Sequence, residues 1–155
     1  MTEQLAPLFE ESVEISADPV RVWSLVSDLP RLAEWSPQVV KSVVRGGGGV
    51  RQDAKLFNIN RRGLLVWPTQ SKVTEFEPHR KIAFRVKENF SIWSFELEPT
   101  ATGTRLTQRR ELPEGLSDLS LKLTKRFFGG QENFGNELQQ GMRQTLSRVK
   151  AEAEK

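Results

Sequence analysis

Cysteine and tyrosine are both absent from the chain, and histidine occurs once, at position 79. Without cysteine there is no disulfide, no thiolate nucleophile and no Cys-ligated metal. With tyrosine gone as well, two common acid–base side chains are missing altogether. A nucleophilic triad needs a base beside its nucleophile, and His79 lies in Glu77-Pro78-His79, which reads as a solvated turn between strands. A metal site would rest on carboxylates alone, with no His-Glu-x-x-His cluster to support it. No catalytic residue, metal or cofactor is therefore expected. Long apolar runs are also missing, so nothing in the sequence approaches a membrane span. The opening MTEQLAPLFEES has no basic region followed by an apolar core, as a secretory signal would. A cytoplasmic location is the expectation. Charge of one sign is scarce too: 23 basic residues face 20 acidic ones, a net charge of +3 at pH 7. Basic pairs occur at Arg61-Arg62, Arg109-Arg110 and Lys125-Arg126, but acids are interspersed among them. No aromatic–basic interleaving of the RNP type is present, which argues against nucleic acid as a partner.

What the chain does have is alternation. From Val73 to Glu111 large apolar residues recur at every second position: Ile82, Phe84 and Val86, then Trp93, Phe95 and Leu97. Polar Arg85, Lys87, Ser94, Glu96 and Glu98 fill the gaps. Such strands make a sheet with one apolar and one wet face. If Leu106 faces inward, Thr104, Gln108 and Arg110 face inward with it.

Upstream, Leu8 to Ser16 alternates well enough for a first strand. Asp18 suits a helix N-cap and Pro19 the first helical position. Val22, Trp23, Val26 and Leu29 follow at helical spacing, and a second short helix over 30–35 stops before Ser36-Pro37. Val39 to Arg45 is rich in β-branched residues. The run Gly46-Gly47-Gly48-Gly49 precedes Val50-Arg51-Gln52 and not Lys-Ser/Thr and a helix, so it reads as a hairpin turn and not a phosphate loop. Ala54 to Asn60 and Leu64 to Phe76 form the next strand pair, and Pro68 marks an edge or a bulge there. After Pro113 the pattern becomes helical. Leu116, Leu119, Leu123 and Phe127 come first; past Gly129-Gly130, Phe134, Leu138, Met142, Leu146 and Val149 make one apolar stripe.

The 155 residues suit one domain, 1–155. The expected fold class is α+β: an antiparallel meander of seven strands, two short helices after the first, and one long C-terminal helix. A single amphipathic helix laid across a curled meander leaves a cavity and not a solid sandwich.

Three segments carry a resemblance. They are VEISADPVRVWSLVSDLPRLAEWSPQV, then VTEFEPHRKIAFRV followed by WSFELEPTATGTRLTQRRE, and finally GMRQTLSRVKAEAE. Their order and residues resemble the START-like or SRPBCC superfamily, the helix-grip fold, in its bacterial polyketide cyclase/dehydrase branch. The resemblance implies a curved sheet wrapped around the C-terminal helix with a ligand cavity between them. Two departures stand out. His79 occupies a turn position where relatives often have Gly. Asn58 stands where a small residue is expected; pointing inward, it would narrow or polarise the cavity.

The expected cavity lining combines both readings. It comprises Trp35, Asn60, Trp67, Ser71, Phe84, Trp93, Phe95, Leu106, Gln108, Arg110, Phe134, Leu138 and Met142. The expected partner is a small hydrophobic molecule, lipid- or polyketide-like, bound in that cavity. One alternative is a polyketide aromatase/cyclase that works through pocket shape, with Arg110, Gln108 and Ser71 polarising carbonyls. The other is a module that binds RNA, the ribosome or another protein through its basic pairs.

Overall fold

A computed structural model describes residues 8–113 and 131–155, the side chains of 131–134 excepted. The sequence stripe at Leu116, Leu119, Leu123 and Phe127, and the pair Lys125-Arg126, lie outside the described residues. The chain opens with β1 (Leu8–Ile15) and α1 (Pro19–Val26), followed by a 3-10 turn (Leu29–Arg31) and α2 (Leu32–Trp35). Six further strands follow: β2 (Val39–Val44), β3 (Lys55–Arg62), β4 (Leu65–Glu77), β5 (Lys81–Val86), β6 (Ile92–Pro99) and β7 (Thr104–Glu111). The helix α3 (Gln131–Ala153) closes the chain. The strands form one seven-stranded antiparallel sheet in the order β1-β7-β6-β5-β4-β3-β2. Sequential hairpins build β2 to β7, and β1 closes on β7 from the far end of the chain.

Local chemistry explains the corners. The Asp18 side chain accepts from the Arg21 amide at 2.9 Å, and Pro19 takes the first helical turn, so the orphan donors there are capped or absent. Gly46, Gly47 and Gly48 have φ near +80° in the β2–β3 turn. Pro68 sits in β4 opposite Ile59 of β3. β4 pairs with β5 only from Ser71 onward, so its other flank at Pro68 has no strand beside it and no ladder donor is lost.

The sheet alternates as the sequence does. Ile15, Leu106, Leu97, Phe95, Ile82, Val73 and Leu56 belong to one buried core cluster with Val22, Trp23, Leu25 and Val26 of α1 and Leu146, Val149 and Ala153 of α3. The opposite face is wet and cross-strapped. Arg109 is paired with Glu10 of β1 and, at 2.8 Å, with Glu96 of β6; Arg105 reaches Glu14 at 3.0 Å.

The C-terminal half of α3 is tied down by polar links as well as by apolar packing. Lys150 Nζ donates to the Glu14 carbonyl at 2.8 Å, and the Ser16 amide donates to Glu154 at 2.8 Å. Arg148 donates to the Trp35 carbonyl at 3.3 Å. The first half of the helix is held differently: Arg62, near the end of β3, grips Glu137 through two hydrogen bonds of 2.6 Å.

Candidate functional site

The inner face of the sheet is zoned. Around the C-terminal half of α3 it is mainly apolar, with buried Thr104 opposite Ile15. Toward the other end of the strands the same alternation brings in polar and aromatic residues that the core cluster does not include. Cross-strand register sets one row there: Phe9 opposite Arg110, Arg110 opposite Trp93, Trp93 opposite Phe84, Phe84 opposite Val73. Gln108 lies one pleat below Arg110, opposite Phe95 and Glu11. Arg110 is 2% exposed and Gln108 5%.

Arg110 is the unusual residue. Its Nη1 is buried without a hydrogen-bond partner, and no carboxylate pairs with it among the described residues. Burial alone pulls its pKa down to about 10. The guanidinium lies 5.8 Å from the centroid of the Trp93 ring, and a cation–π contact of that kind is worth about 0.5–2 kcal/mol. An unpaired buried charge costs several kcal/mol, so the ring offsets only part of it. The Gln108 Oε1 is likewise buried without a donor. Arg109, one residue earlier, faces the other way and is fully engaged. The Arg109-Arg110 pair is thus split by the pleat into a surface strap and an interior cation.

A second polar set lies on β2, β3 and β4. Ser42 Oγ donates to Asn58 Oδ1 at 2.7 Å, and Asn58 Nδ2 donates to Ser71 Oγ at 3.3 Å. Asn60 Nδ2 donates to Thr69 Oγ1 at 3.0 Å and to the Trp67 carbonyl at 3.3 Å. Asn58 does point inward, and its amide is spent on neighbouring hydroxyls. Ser42 spends its proton on Asn58, whereas Ser71 and Thr69 act as acceptors, so their own protons remain available.

The structure brings the expected residues together in part. Asn60, Trp67 and Ser71 share the inner face of β3 and β4, while Phe84, Trp93, Phe95, Leu106, Gln108 and Arg110 share that of β5, β6 and β7. Phe95 and Leu106 are fully buried core members. Leu138 and Met142 are buried on α3; Phe134 is on the same helix, but its side chain lies outside the described residues. Trp35 belongs to the core cluster, with Arg31 over its ring at 4.6 Å and its indole N–H buried unpaired. Sequence reasoning left Phe9 and Ser42 out. Alternation along β1 from Val13 and Ile15 reaches Phe9, but Ser42 is placed only by pairing with Asn58.

An open groove lies away from this site, bordered by Pro19, Glu75, Glu77, His79, Arg80, Lys81 and residues 96–99. It is acidic, and Glu75 is paired with Lys81 at 3.1 Å. Among the described residues no group of acids or histidine converges as a metal site would require.

Comparison with known proteins places the chain. Residues 6–154 match the family described as polyketide cyclase / dehydrase and lipid transport. The chain belongs to that family. Among solved structures it is similar to the Polyketide_cyc-like protein Cgl2372 of Corynebacterium glutamicum, with 28% identity and a TM-score of 0.61 over 92% of this chain and 88% of that one. It shares its fold with the Zhui aromatase/cyclase of a Streptomyces species, at 18% identity and a TM-score of 0.69 over 95% and 93% of the two chains. The di-domain aromatase/cyclase StfQ of the steffimycin biosynthetic pathway gives 16% identity and a TM-score of 0.73 over 96% of this chain, which spans 50% of StfQ. No curated protein matches the sequence. As a family member the chain has the seven-stranded sheet and covering C-terminal helix expected of it, and no described helix is long and apolar enough to cross a membrane.

Proposed function

We propose that this protein binds a small hydrophobic molecule, lipid- or polyketide-like, between the inner face of the sheet and α3. The observation that carries the reading is the zoning of that face. One half is a packed apolar core. The other half carries the half-buried rings of Trp67, Trp93 and Phe84 together with two buried polar atoms, Gln108 Oε1 and Arg110 Nη1, that have no partner among the described residues. Apolar walls with a few convergent polar groups are the usual make-up of a ligand site. Fully packed cores seldom leave such atoms unpaired, because each costs about 1–3 kcal/mol. The family's description, which includes lipid transport, supports the same reading. The test is uptake of the neutral dye N-phenyl-1-naphthylamine, followed by its fluorescence, together with native mass spectrometry of the purified protein. A saturable, stoichiometric signal or a co-purified mass supports the reading; a protein that takes up no dye and carries no ligand refutes it.

A second reading is favoured by Arg110 and Gln108 together. Aimed at a bound polyketide, a cation and an amide would stabilise an enolate or a polarised carbonyl, with the Ser71 hydroxyl as a further donor. The protein would then be an aromatase/cyclase. Cyclisation of a poly-β-ketone that persists unchanged in the Arg110→Ala/Gln108→Ala double variant would exclude those roles.

A further inference from the structure

The row Phe9–Arg110–Trp93–Phe84–Val73 runs straight across five strands. In register a cation stands between two aromatic residues, Phe9 and Trp93, and the row continues through a third, Phe84, to the fully buried Val73. Neighbouring strands are about 4.8 Å apart, so Arg110 to Val73 spans roughly 14 Å. That is the length of a compact molecule with one charged end and a flat body.

Resting on the reading that the interior holds an apolar molecule, we propose that the ligand is a planar organic acid, its carboxylate on Arg110 and its body along Trp93 and Phe84. Three features of the row converge on this. The guanidinium is buried and no carboxylate among the described residues pairs with it, so a ligand's carboxylate would supply the missing counter-charge. Arginine presents a planar fork that fits a carboxylate through two parallel hydrogen bonds. Trp93 and Phe84 are half-buried while Arg110 is fully so, which leaves ring surface to receive the ligand body once its acid end is seated. The carboxylate completes Arg110 just as the paired Glu10 and Glu96 complete Arg109 on the opposite face. A neutral hydrophobe of the same shape would fill the space but leave the charge uncompensated.

The test uses a matched pair, 2-naphthoate and 2-naphthalenemethanol, titrated into the protein at pH 7 with tryptophan fluorescence as the readout. The acid is expected to bind more tightly than the alcohol by about 30-fold or more, the range for completing a buried charge pair. In Arg110→Met that preference disappears while the alcohol still binds; in Arg110→Lys it is reduced but kept. Circular dichroism establishes that each variant is folded, and should Arg110→Met fail to fold, the wild-type preference and Arg110→Lys decide. Equal affinity for acid and alcohol overturns the acid specificity and leaves the apolar site standing. A preference unchanged in a folded Arg110→Met moves the anion elsewhere and also overturns it. Binding of neither probe overturns the acid proposal, and with no dye uptake the apolar site falls too.

Discussion

Arg110 and Arg109 are adjacent in sequence and opposite in physics. Arg109 holds two carboxylates at the surface, and its pKa is raised chiefly by its hydrogen bond to Glu10. Arg110 holds none. Replacing a buried, uncompensated charge with an apolar side chain of similar volume commonly stabilises a fold. Arg110→Met is therefore expected to raise the free energy of unfolding by about 1–3 kcal/mol in urea titrations, while it abolishes acid binding. A loss of stability would mean that the cation has a partner in the folded protein. His79 makes a different residue-scale point. Its φ is +69°, a left-handed conformation that costs side-chain-bearing residues about 1–2 kcal/mol relative to Gly. Its ring makes an edge contact with Trp23 at 6.3 Å, a compensation that Gly would forgo. His79→Gly should change stability by less than about 0.5 kcal/mol because the two effects oppose, whereas His79→Val should destabilise by about 1–2 kcal/mol. Thermal melts of the two variants separate the effects.

At the scale of elements, the β6–β7 turn is locked against the corner between β1 and α1. A Cβ on Gly103 would stand 2.1 Å from the Ile15 carbonyl oxygen and 2.8 Å from the Ala17 nitrogen. Both are backbone atoms that cannot step aside. Thr104 Oγ donates to the Ala17 carbonyl at 2.7 Å in the same corner. Gly103→Ala is expected to destabilise the protein by about 3 kcal/mol, at or beyond the upper end for overpacking, visible as a lowered midpoint in denaturant. The α3–β3 junction depends on pH. Hydrogen bonding from Arg62 holds the Glu137 carboxyl below its ordinary value of 4.5. A depressed carboxyl pKa contributes stability that is present above 4.5 and is lost as pH falls through the folded value. The pair is about one-third exposed, so the contribution is below about 1 kcal/mol. Glu137→Gln should remove that increment at pH 7, and variant and wild type should converge in stability as the pH falls through the lowered folded value of Glu137.

For the whole molecule, stability and function are expected to be set against each other. The C-terminal half of α3 is stitched to β1, α1 and α2, and the core cluster sits there. The first half meets the sheet at Arg62, on the face where Gln108 Oε1 and Arg110 Nη1 lack partners among the described residues. A ligand that completes that half would stabilise the native state by mass action, by about 2.7 kcal/mol at a concentration 100 times its dissociation constant. Differential scanning calorimetry with 2-naphthoate should show the rise in wild type and its absence in Arg110→Met.

The strands, their faces and the two helix starts were legible because they rest on local rules. Alternation put Gln108 and Arg110 on the Leu106 face, and Asp18-Pro19 announced α1 by capping chemistry. The same rules of alternation put Ser71 on the Trp67 face of β4. What they could not supply was anything that depends on which strands meet. Ser42 joins Asn58 only through the β2–β3 register. Phe9 flanks Arg110 only because β1 pairs with β7, across about a hundred residues of chain. Trp35 joins the core cluster, and Arg148 of α3 donates to its carbonyl across more than a hundred residues of chain. Above all, an arginine on an inward strand face looks the same in sequence whether or not a carboxylate waits across the interior. The sequence by itself determined which side chains share a strand face, since that follows from backbone geometry over a few residues. Only the tertiary structure decided that Arg110 stands buried with no counter-charge among the described residues, since the presence or absence of a partner is a property of distant segments brought together.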